Sequence, residues 1–411
     1  MAFNIEGGAK QGDTLSSLLL NGVSESLMRK LKYKWQNKRH GIQLQPHGGE
    51  RLTNLRFADD ILLTSTSLPS LTNMIADLND EASKIGLQLH PDKTKILHNH
   101  HNQPRRIPTR GVANGLTIQI LSVQEHTKYL GRKLSFSDPH RTEVENRISF
   151  AWKKFFSLKQ ELTGYKYSLS DRLRLFHGTV TPTILYSCEA WTLTTELENR
   201  LRRTQRQMLR MILHSPRRKE HNDNHLVHNP ETQTTRPHMT TQTATEDNNS
   251  DSDVDSETQT TQHATQPDAE NHDTSIDLEP WVDWIRRCTH DAETRMKNLK
   301  LDDWVTMQRR RKWRWAHKLA NATVDTWATT TLLWDPRQHT EHHPRRQTGR
   351  PKLRWTDDIN SYLRQSHHNS YNAQVDEPRI NNDYLWMETA KDTKLWSQLE
   401  ENYVSGSRGM T

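Results

Sequence analysis

The stretch Arg56-Phe57-Ala58-Asp59-Asp60-Ile61-Leu62-Leu63 decides the fold around it, because it sets two adjacent carboxylates between two short apolar runs. Runs of this length and composition predict two paired strands. Asp59 and Asp60 then lie at the tip, where Asp favours a tight turn. Two carboxylates on a rigid hairpin can hold Mg²⁺, a hard cation that prefers oxygen ligands. The alternative is an ordinary Asp-rich turn, since a dipeptide alone carries a high false-positive rate.

Two helical patterns flank this hairpin. Upstream, an apolar repeat with a period of 3.6 residues follows Gln11-Gly12-Asp13 and runs to about Lys34. Downstream, Pro69 to Ile85 repeats in the same way, and Gly86 lies where a helix would stop. Two further strands are predicted, from Leu116 to Val123 and from Thr127 to Leu134. Strands and helices of this kind together predict an α+β fold.

The order of the motifs resembles reverse transcriptases. A Q-G-D-x-L-S helix start, an F-A-D-D hairpin, a helix and a G-L-x-L-x-x-x-K-T segment follow one another. The F-A-D-D variant, the K-T-K ending and the later Y-L-G most resemble the non-LTR (LINE-type) retrotransposon enzymes. Each motif is weak by itself, but the order and spacing are specific. The resemblance implies a right-hand polymerase palm and RNA-directed DNA polymerase activity.

The resemblance also implies roles for single residues. Asp59 and Asp60 correspond to the catalytic, metal-binding carboxylates, and Lys93 to a lysine near the nucleotide triphosphate that could protonate the leaving pyrophosphate. A solvated loop charge is an equally good interpretation of Lys93. The expected template and nucleotide contacts are Gln11, Gly12 and Phe57, and the expected primer grip is Tyr129, Leu130 and Gly131.

One departure from the family pattern concerns its further catalytic Asp, which lies on a strand before the Q-G-D helix. Here only Ala2 to Gly7 precede that helix, and they contain no Asp. The fingers subdomain and the endonuclease of many relatives have no counterpart either. We therefore expect an N-terminally truncated polymerase that is inactive alone.

Charge is distributed unevenly along the chain. The formal net charge is +7, but residues 221–280 hold thirteen acidic residues against one basic residue, Arg236. The remainder has 56 basic and 37 acidic residues, a net charge of +19. Such an excess suits a protein that follows a phosphate backbone, although a merely soluble surface is the alternative. The acidic segment is nearly free of aliphatic residues, so 217–280 is predicted to be a disordered linker.

Cysteine and hydropathy patterns exclude several classes of protein. The two cysteines, Cys188 and Cys288, exclude a disulfide framework and a Cys-rich zinc site. They fit a reducing intracellular compartment, the nucleus or the cytoplasm. No run of 18 apolar residues occurs, which predicts no membrane span, and Met1 to Glu6 do not form a secretory signal.

Helical patterns with basic residues continue on both sides of the linker. Residues 136–216 predict a helical, thumb-like region whose last helix carries Arg203, Arg206 and Arg210. These arginines contact a polyanion or form a solvated face. Residues 281–411 hold ten of the thirteen tryptophans and predict a small helical domain. There Arg310, Trp313 and Arg314 are expected to bind nucleic acid. Most of the tryptophans are expected to form the core of this domain, with Trp313 the one expected to be exposed.

The expected function is template-primed nucleotidyl transfer with Mg²⁺, an RNA template, a DNA primer and nucleoside triphosphates. Its domains are a partial palm with the primer-grip hairpin (1–135), a thumb-like region (136–216), the linker (217–280) and the Trp-rich domain (281–411). One alternative is a non-catalytic nucleic-acid-binding protein, and another is a chain without activity. A second acidic pair, Asp357-Asp358, is predicted to cap a helix that starts near Ile359.

Overall fold

A computed structural model describes residues 14–45, 48–99, 108–218, 278–322, 326–334, 353–370 and 384–406. The predicted linker lies outside these ranges except for its two ends, and so do Gln11 and Gly12. The chain divides into two compact units, residues 1–214 with 289–411 and residues 215–288. The fold mixes helices and strands, which confirms the predicted α+β class, whereas the domain boundaries stay a prediction.

The acidic pair lies on a hairpin between two helices, as predicted. Helix α1 is Thr14–Asn37, strands β1 and β2 are Asn54–Phe57 and Asp60–Leu63, and helix α2 is Leu68–Ser83. The two helices share an apolar core, to which Ile61 and Leu63 of β2 add. The apolar face of α1 is buried only from Leu27 onwards, because Leu15, Leu18 and Leu19 are each more than half exposed.

Three strands form a small mixed sheet next to α2. They are β3 (Lys95–Ile96), β4 (Arg110–Ala113) and β5 (Leu116–Ile120), in the order β3-β5-β4. Strands β4 and β5 are joined by Asn114-Gly115, both with positive φ. Asn-Gly is the strongest short-range signal for a two-residue hairpin turn. The predicted strand from Leu116 is therefore correct at its start, but its partner β4 was not predicted.

The prediction of a single strand from Thr127 to Leu134 was wrong, because this segment contains two strands. The segment is a separate hairpin, with β6 (Thr127–Tyr129) antiparallel to β7 (Arg132–Leu134). Leu130 and Gly131 form the two-residue turn, with φ of 48° and 74°. Only Gly adopts positive φ readily, so Gly131 reverses a segment whose apolar and β-branched residues otherwise indicate one strand.

A helical bundle follows the second hairpin. Its helices are α3 (Pro139–Ser157), α4 (Lys159–Thr163), α5 (Leu169–Ile184) and α6 (Thr195–Leu213). Ser168 caps α5 through its side-chain oxygen, and Pro182 lies in the last turn of that helix without ending it at once. Val144, Phe155, Phe176, Leu201 and Met208 are fully buried in the shared core.

The C-terminal helices extend this core and build another. Helix α7 is Trp281–Asn298 and helix α8 is Trp304–Ala320; Met296, Trp304 and Val305 join the core of α3–α6. The second half of α8 packs instead with α10 (Asp357–Ser370), α11 (Leu385–Lys391) and α12 (Thr393–Gly406). A short helix, α9 (Trp327–Leu333), lies between α8 and α10 in the chain. Within the described ranges, no helix is long and apolar enough to cross a membrane.

The smaller unit joins residues 215–218 to 278–288. The Trp284 indole donates to the Ser215 carbonyl at 2.9 Å, and Arg217 donates to the Glu279 carbonyl at 2.7 Å. The guanidinium of Arg287 lies 2.8 Å from the Glu279 carboxylate and lowers the pKa of that carboxyl to about 2. This ion pair is therefore lost only in strong acid.

Candidate functional site

The acidic hairpin tip is a two-residue loop. Phe57 pairs with Asp60, which leaves Ala58 and Asp59 as the turn. Ala58 has a φ of 53°, a conformation that costs an L-residue roughly 1–2 kcal/mol. The strands below are held by Ile61 and Leu63 in the core, so the turn is presented rigidly to solvent.

Both carboxylates are exposed at this tip. In the part of the chain that the structure describes, the carboxylates of Asp59 and Asp60 form no side-chain hydrogen bond and no ion pair. Their oxygens are therefore available to a hard cation, and their donor type fits Mg²⁺. Within the same ranges, no group of three or more His, Cys, Asp or Glu side chains is placed to hold a metal ion. Asp59 and Asp60 would thus supply ligands from only one side of a bound metal ion.

The turn of the second hairpin lies within electrostatic reach of the first. Burial raises the pKa of the Tyr129 phenol, and the negative charge of Asp60 raises it further. Tyr129, predicted for the primer grip, is thus within electrostatic range of Asp60, one of the predicted catalytic residues.

Other residues predicted for the site lie in separate places. Phe57 is 67% exposed at the end of β1. Lys93 is exposed in a turn between α2 and β3, an arrangement that suits either of its two interpretations. Gln11 and Gly12 lie outside the described residues.

A cleft of about 610 Å³ opens beside the acidic hairpin, between α1, β1 and α9. Four cationic side chains contribute to its lining, against the single carboxylate of Glu25, and Trp327 adds an aromatic surface. Arg56 lies 2.6 Å and Arg29 3.4 Å from Glu25, and these arginines lower the pKa of its carboxyl, with Arg56 the larger cause. The cationic residues are Arg29, Lys32, Arg51 and Arg56. The residues of this cleft come from three separate segments of the chain, so no local sequence pattern predicts it.

Two of the three α6 arginines that were predicted to bind nucleic acid are paired with other residues of the protein. The Nε of Arg206 lies 2.8 Å from Glu293, and Arg210 donates to the Thr289 hydroxyl at 3.1 Å. Arg203 is exposed. Of the three predicted contacts to nucleic acid on this helix, Arg203 is thus the least engaged among the described residues.

The expected exposure of Trp313 was wrong, since its side chain is fully buried. Its ring stacks on Trp396 at 3.8 Å and on Tyr403 at 4.6 Å. The buried residues of α8 are Trp304, Val305, Gln308, Arg309, Lys312, Trp313, Ala316 and Leu319. The neighbouring Arg310 and Arg314 lie 2.9 Å from Glu401 and 2.8 Å from Glu400.

The second acidic pair serves the helical core of α8 and α10–α12. The carboxylate of Asp358 accepts from the buried Lys312 ammonium at 2.8 and 2.9 Å and from the Tyr403 hydroxyl at 2.9 Å. It also accepts from the Ile359 amide at 2.9 Å, within the first turn of α10. The predicted cap of a helix starting near Ile359 was wrong, because α10 already begins at Asp357 and both aspartates lie in its first turn. Pairing of Asp358 with Lys312 was not predicted, because 46 residues separate the two in the chain.

Comparison with known proteins adds to this geometry. Residues 2–134 match the reverse transcriptase (RNA-dependent DNA polymerase) family. A transposon-derived protein of Caenorhabditis elegans is 32% identical over 168 residues, which cover 40% of this chain and 58% of that protein. A Pol polyprotein of the type-1 retrotransposable element R2 of Popillia japonica is 25% identical over 225 residues, which cover 51% of this chain and 34% of the polyprotein.

The chain thus spans 58% and 34% of the length of these two relatives. No solved structure matches it. The family match contains the acidic hairpin, the mixed sheet and the second hairpin. The resemblance drawn from the motifs is confirmed: residues 2–134 match the reverse transcriptase family, and the chain is similar to a transposon-derived protein and to a Pol polyprotein of the retrotransposable element R2.

Proposed function

We propose that this chain is part of an RNA-directed DNA polymerase of a non-LTR retrotransposon. Residues 1–135 form part of its palm, and the bundle α3–α6 forms a thumb-like region. The observation that carries the proposal is the pair of exposed carboxylates, Asp59 and Asp60, on a rigid hairpin tip inside the segment that matches the family. Its partners are an RNA template, a DNA primer and nucleoside triphosphates.

Asp59 and Asp60 are the residues that hold Mg²⁺ in this proposal. Bound divalent cations supply electrostatic stabilisation of the attacking and leaving oxygens in phosphoryl transfer. The hairpin contributes two oxygen ligands whose positions are set by β1 and β2. Tyr129 stays protonated beside Asp60, because burial and the carboxylate charge both raise its pKa. It therefore adds no negative charge to the site at neutral pH.

We further propose that the described residues do not polymerise by themselves. Two divalent cations about 4 Å apart repel by roughly 17 kcal/mol at an effective dielectric of 20. Carboxylates on more than one side of the ions must offset this repulsion. Asp59 and Asp60 approach from one hairpin, and the described ranges provide no third ligand near them.

The first prediction concerns primer extension. Purified protein with Mg²⁺ and a primed RNA template is expected to yield no extension product, while the primed template is still bound. Asp59→Ala serves as the matched control, since it removes one exposed carboxylate without touching the core. Extension by the parent chain that disappears in Asp59→Ala would overturn the proposed inactivity and show that another residue completes the site. If the purified protein neither extended the primer nor bound the primed template, the polymerase proposal itself would be wrong.

Nucleic-acid binding is supported by the charge of the cleft beside the hairpin. Its lining combines four cations, one carboxylate and an indole, which suits a backbone of phosphates with stacked bases. A basic cleft also favours the second candidate function, binding without catalysis. We propose the same surface for both functions, and primer extension distinguishes them.

The second prediction tests this cleft. Arg29→Ala is expected to weaken binding of a single-stranded RNA several-fold and to reduce the salt slope of log K by about one, because one phosphate contact is lost. Arg174→Ala on α5 is the control. Both arginines are exposed, by 80% and 65% of their side chains, and each has a local acidic partner, at 3.4 and 3.6 Å. Equal slopes in the two variants would exclude the cleft as the binding surface.

A further inference from the structure

The turn of the second hairpin has an unusual backbone for its sequence. Leu130 has a φ of 48°, although a bulky residue rarely takes positive φ. Such a conformation persists only where surrounding structure determines it. The β6–β7 pairing is only three residues long, so the hairpin itself provides little of that support.

Side chains from outside the hairpin hold both carbonyls of this turn. The Tyr186 hydroxyl donates to the Leu130 carbonyl at 3.2 Å, and the Arg147 guanidinium donates to the Gly131 carbonyl. Arg147 also lies over the Tyr186 ring, 4.4 Å from its centroid. A residue of α3 and a residue that follows α5 therefore act together on two adjacent peptide groups.

A buried carboxylate, that of Glu143, holds the Arg147 guanidinium in position. Glu143 is completely buried and accepts from the Arg147 Nε at 2.6 Å and from the Lys133 amide at 2.7 Å. The Asn146 amide adds a third hydrogen bond, at 3.3 Å. Glu143 thus orients the guanidinium and binds the backbone of β7 at the same time. Hydrogen bonds that are charge-assisted and removed from water are stronger than exposed ones.

We propose that Glu143, Arg147 and Tyr186 are positioning residues that hold the turn Tyr129–Gly131 against α3 for contact with the primer end. The inference rests on the proposed function, which assigns the primer grip to this turn. Tyr129, the last residue of β6, lies within electrostatic range of Asp60. The bundle α3–α6 is thereby joined through Arg147 to the turn that the proposed function assigns to the primer end.

The test uses Tyr186→Phe, which removes a single hydroxyl from a side chain that is 49% exposed, so folding is preserved. Tyr167→Phe is the matched control, because Tyr167 is 46% exposed and its hydroxyl has no hydrogen-bond partner within the described residues. One readout is amide exchange of Tyr129 and Arg132, the residues on either side of the turn. The other is the ratio of affinities for a primed template with a recessed 3′ end and for a blunt duplex of equal length.

We expect faster exchange and a ratio that falls about threefold to tenfold in Tyr186→Phe, since one hydrogen bond is lost, with no change in Tyr167→Phe. Faster exchange with an unchanged ratio would overturn the proposal, because the clamp would then be only structural. Unchanged exchange would overturn it as well. A parent chain that shows no preference for the recessed end would contradict the primer grip, and with it the proposed function, before any variant is compared.

Discussion

Trp313→Ala is expected to lower the free energy of unfolding by about 3–5 kcal/mol, the range for truncating a fully buried large aromatic side chain. The indole ring of Trp313 stacks on Trp396 and Tyr403. Its Nε1 donates to the Trp396 carbonyl at 3.1 Å, and the Trp396 Nε1 donates to the Trp313 carbonyl at 3.2 Å. The substitution therefore removes stacking and one of two reciprocal hydrogen bonds at the centre of this core.

Urea unfolding followed by far-ultraviolet circular dichroism measures this effect. Trp315→Ala is the control on the same helix, two residues away and only partly buried. We expect Trp315→Ala to lower the free energy of unfolding by less than half as much as Trp313→Ala does. If Trp313→Ala lost less than about 1 kcal/mol while RNA binding fell sharply, the exposed, nucleic-acid-binding interpretation of Trp313 would be correct and its placement in the core wrong.

Asp358→Ala has the second large expected effect, about 3 kcal/mol. The Lys312 side chain is only 2% exposed, and Asp358 is its counter-ion. Removing one partner of a buried ion pair costs about 3–5 kcal/mol, because a charge is left uncompensated. We place the effect at the lower end, since half of the Asp358 side chain is open to water. Lys312→Met in the Asp358→Ala background is expected to recover most of the loss.

The pH dependence of this variant has a definite sign. Burial lowers the pKa of the Lys312 ammonium below its ordinary value of 10.5, and Asp358 opposes that shift. Without Asp358 the pKa falls further, so the unfolded chain binds more protons than the folded chain and stability rises with pH. As the pH rises towards 10.5, the ordinary lysine pKa, Asp358→Ala should thus gain stability relative to the parent. A stability difference that stays constant as the pH rises would contradict the buried, unpaired lysine.

Local sequence patterns predicted the elements whose signals lie within one segment. The strands around Asp59 and Asp60, and helices α2, α3, α5 and α6, follow from apolar periodicity over four to nineteen residues. Two hairpin turns have local sequence signals from which they can be predicted. Asn114-Gly115 is a strong hairpin signal, and Gly131 is the residue that allows the reversal between β6 and β7.

The partners of charged residues could not be predicted in the same way. Arg206 and Glu293 are 87 residues apart, and Lys312 and Asp358 are 46 residues apart. An arginine that binds RNA and an arginine that pairs with a distant glutamate have the same local sequence context. Only the packing of α6 beside α7, and of α8 beside α10, separates the two cases.

The sequence by itself determined the resemblance of residues 2–134 to reverse transcriptases, the acidic hairpin and the helical character of the rest of the chain, because these depend on motif order and on short-range periodicity. The tertiary structure alone decided which face of α8 is buried and which arginines are already paired. It also decided that Glu143, Arg147 and Tyr186 converge on one turn. Convergence of this kind requires chain segments up to 56 residues apart to meet, and such meetings depend on the packing of whole helices rather than on any local pattern.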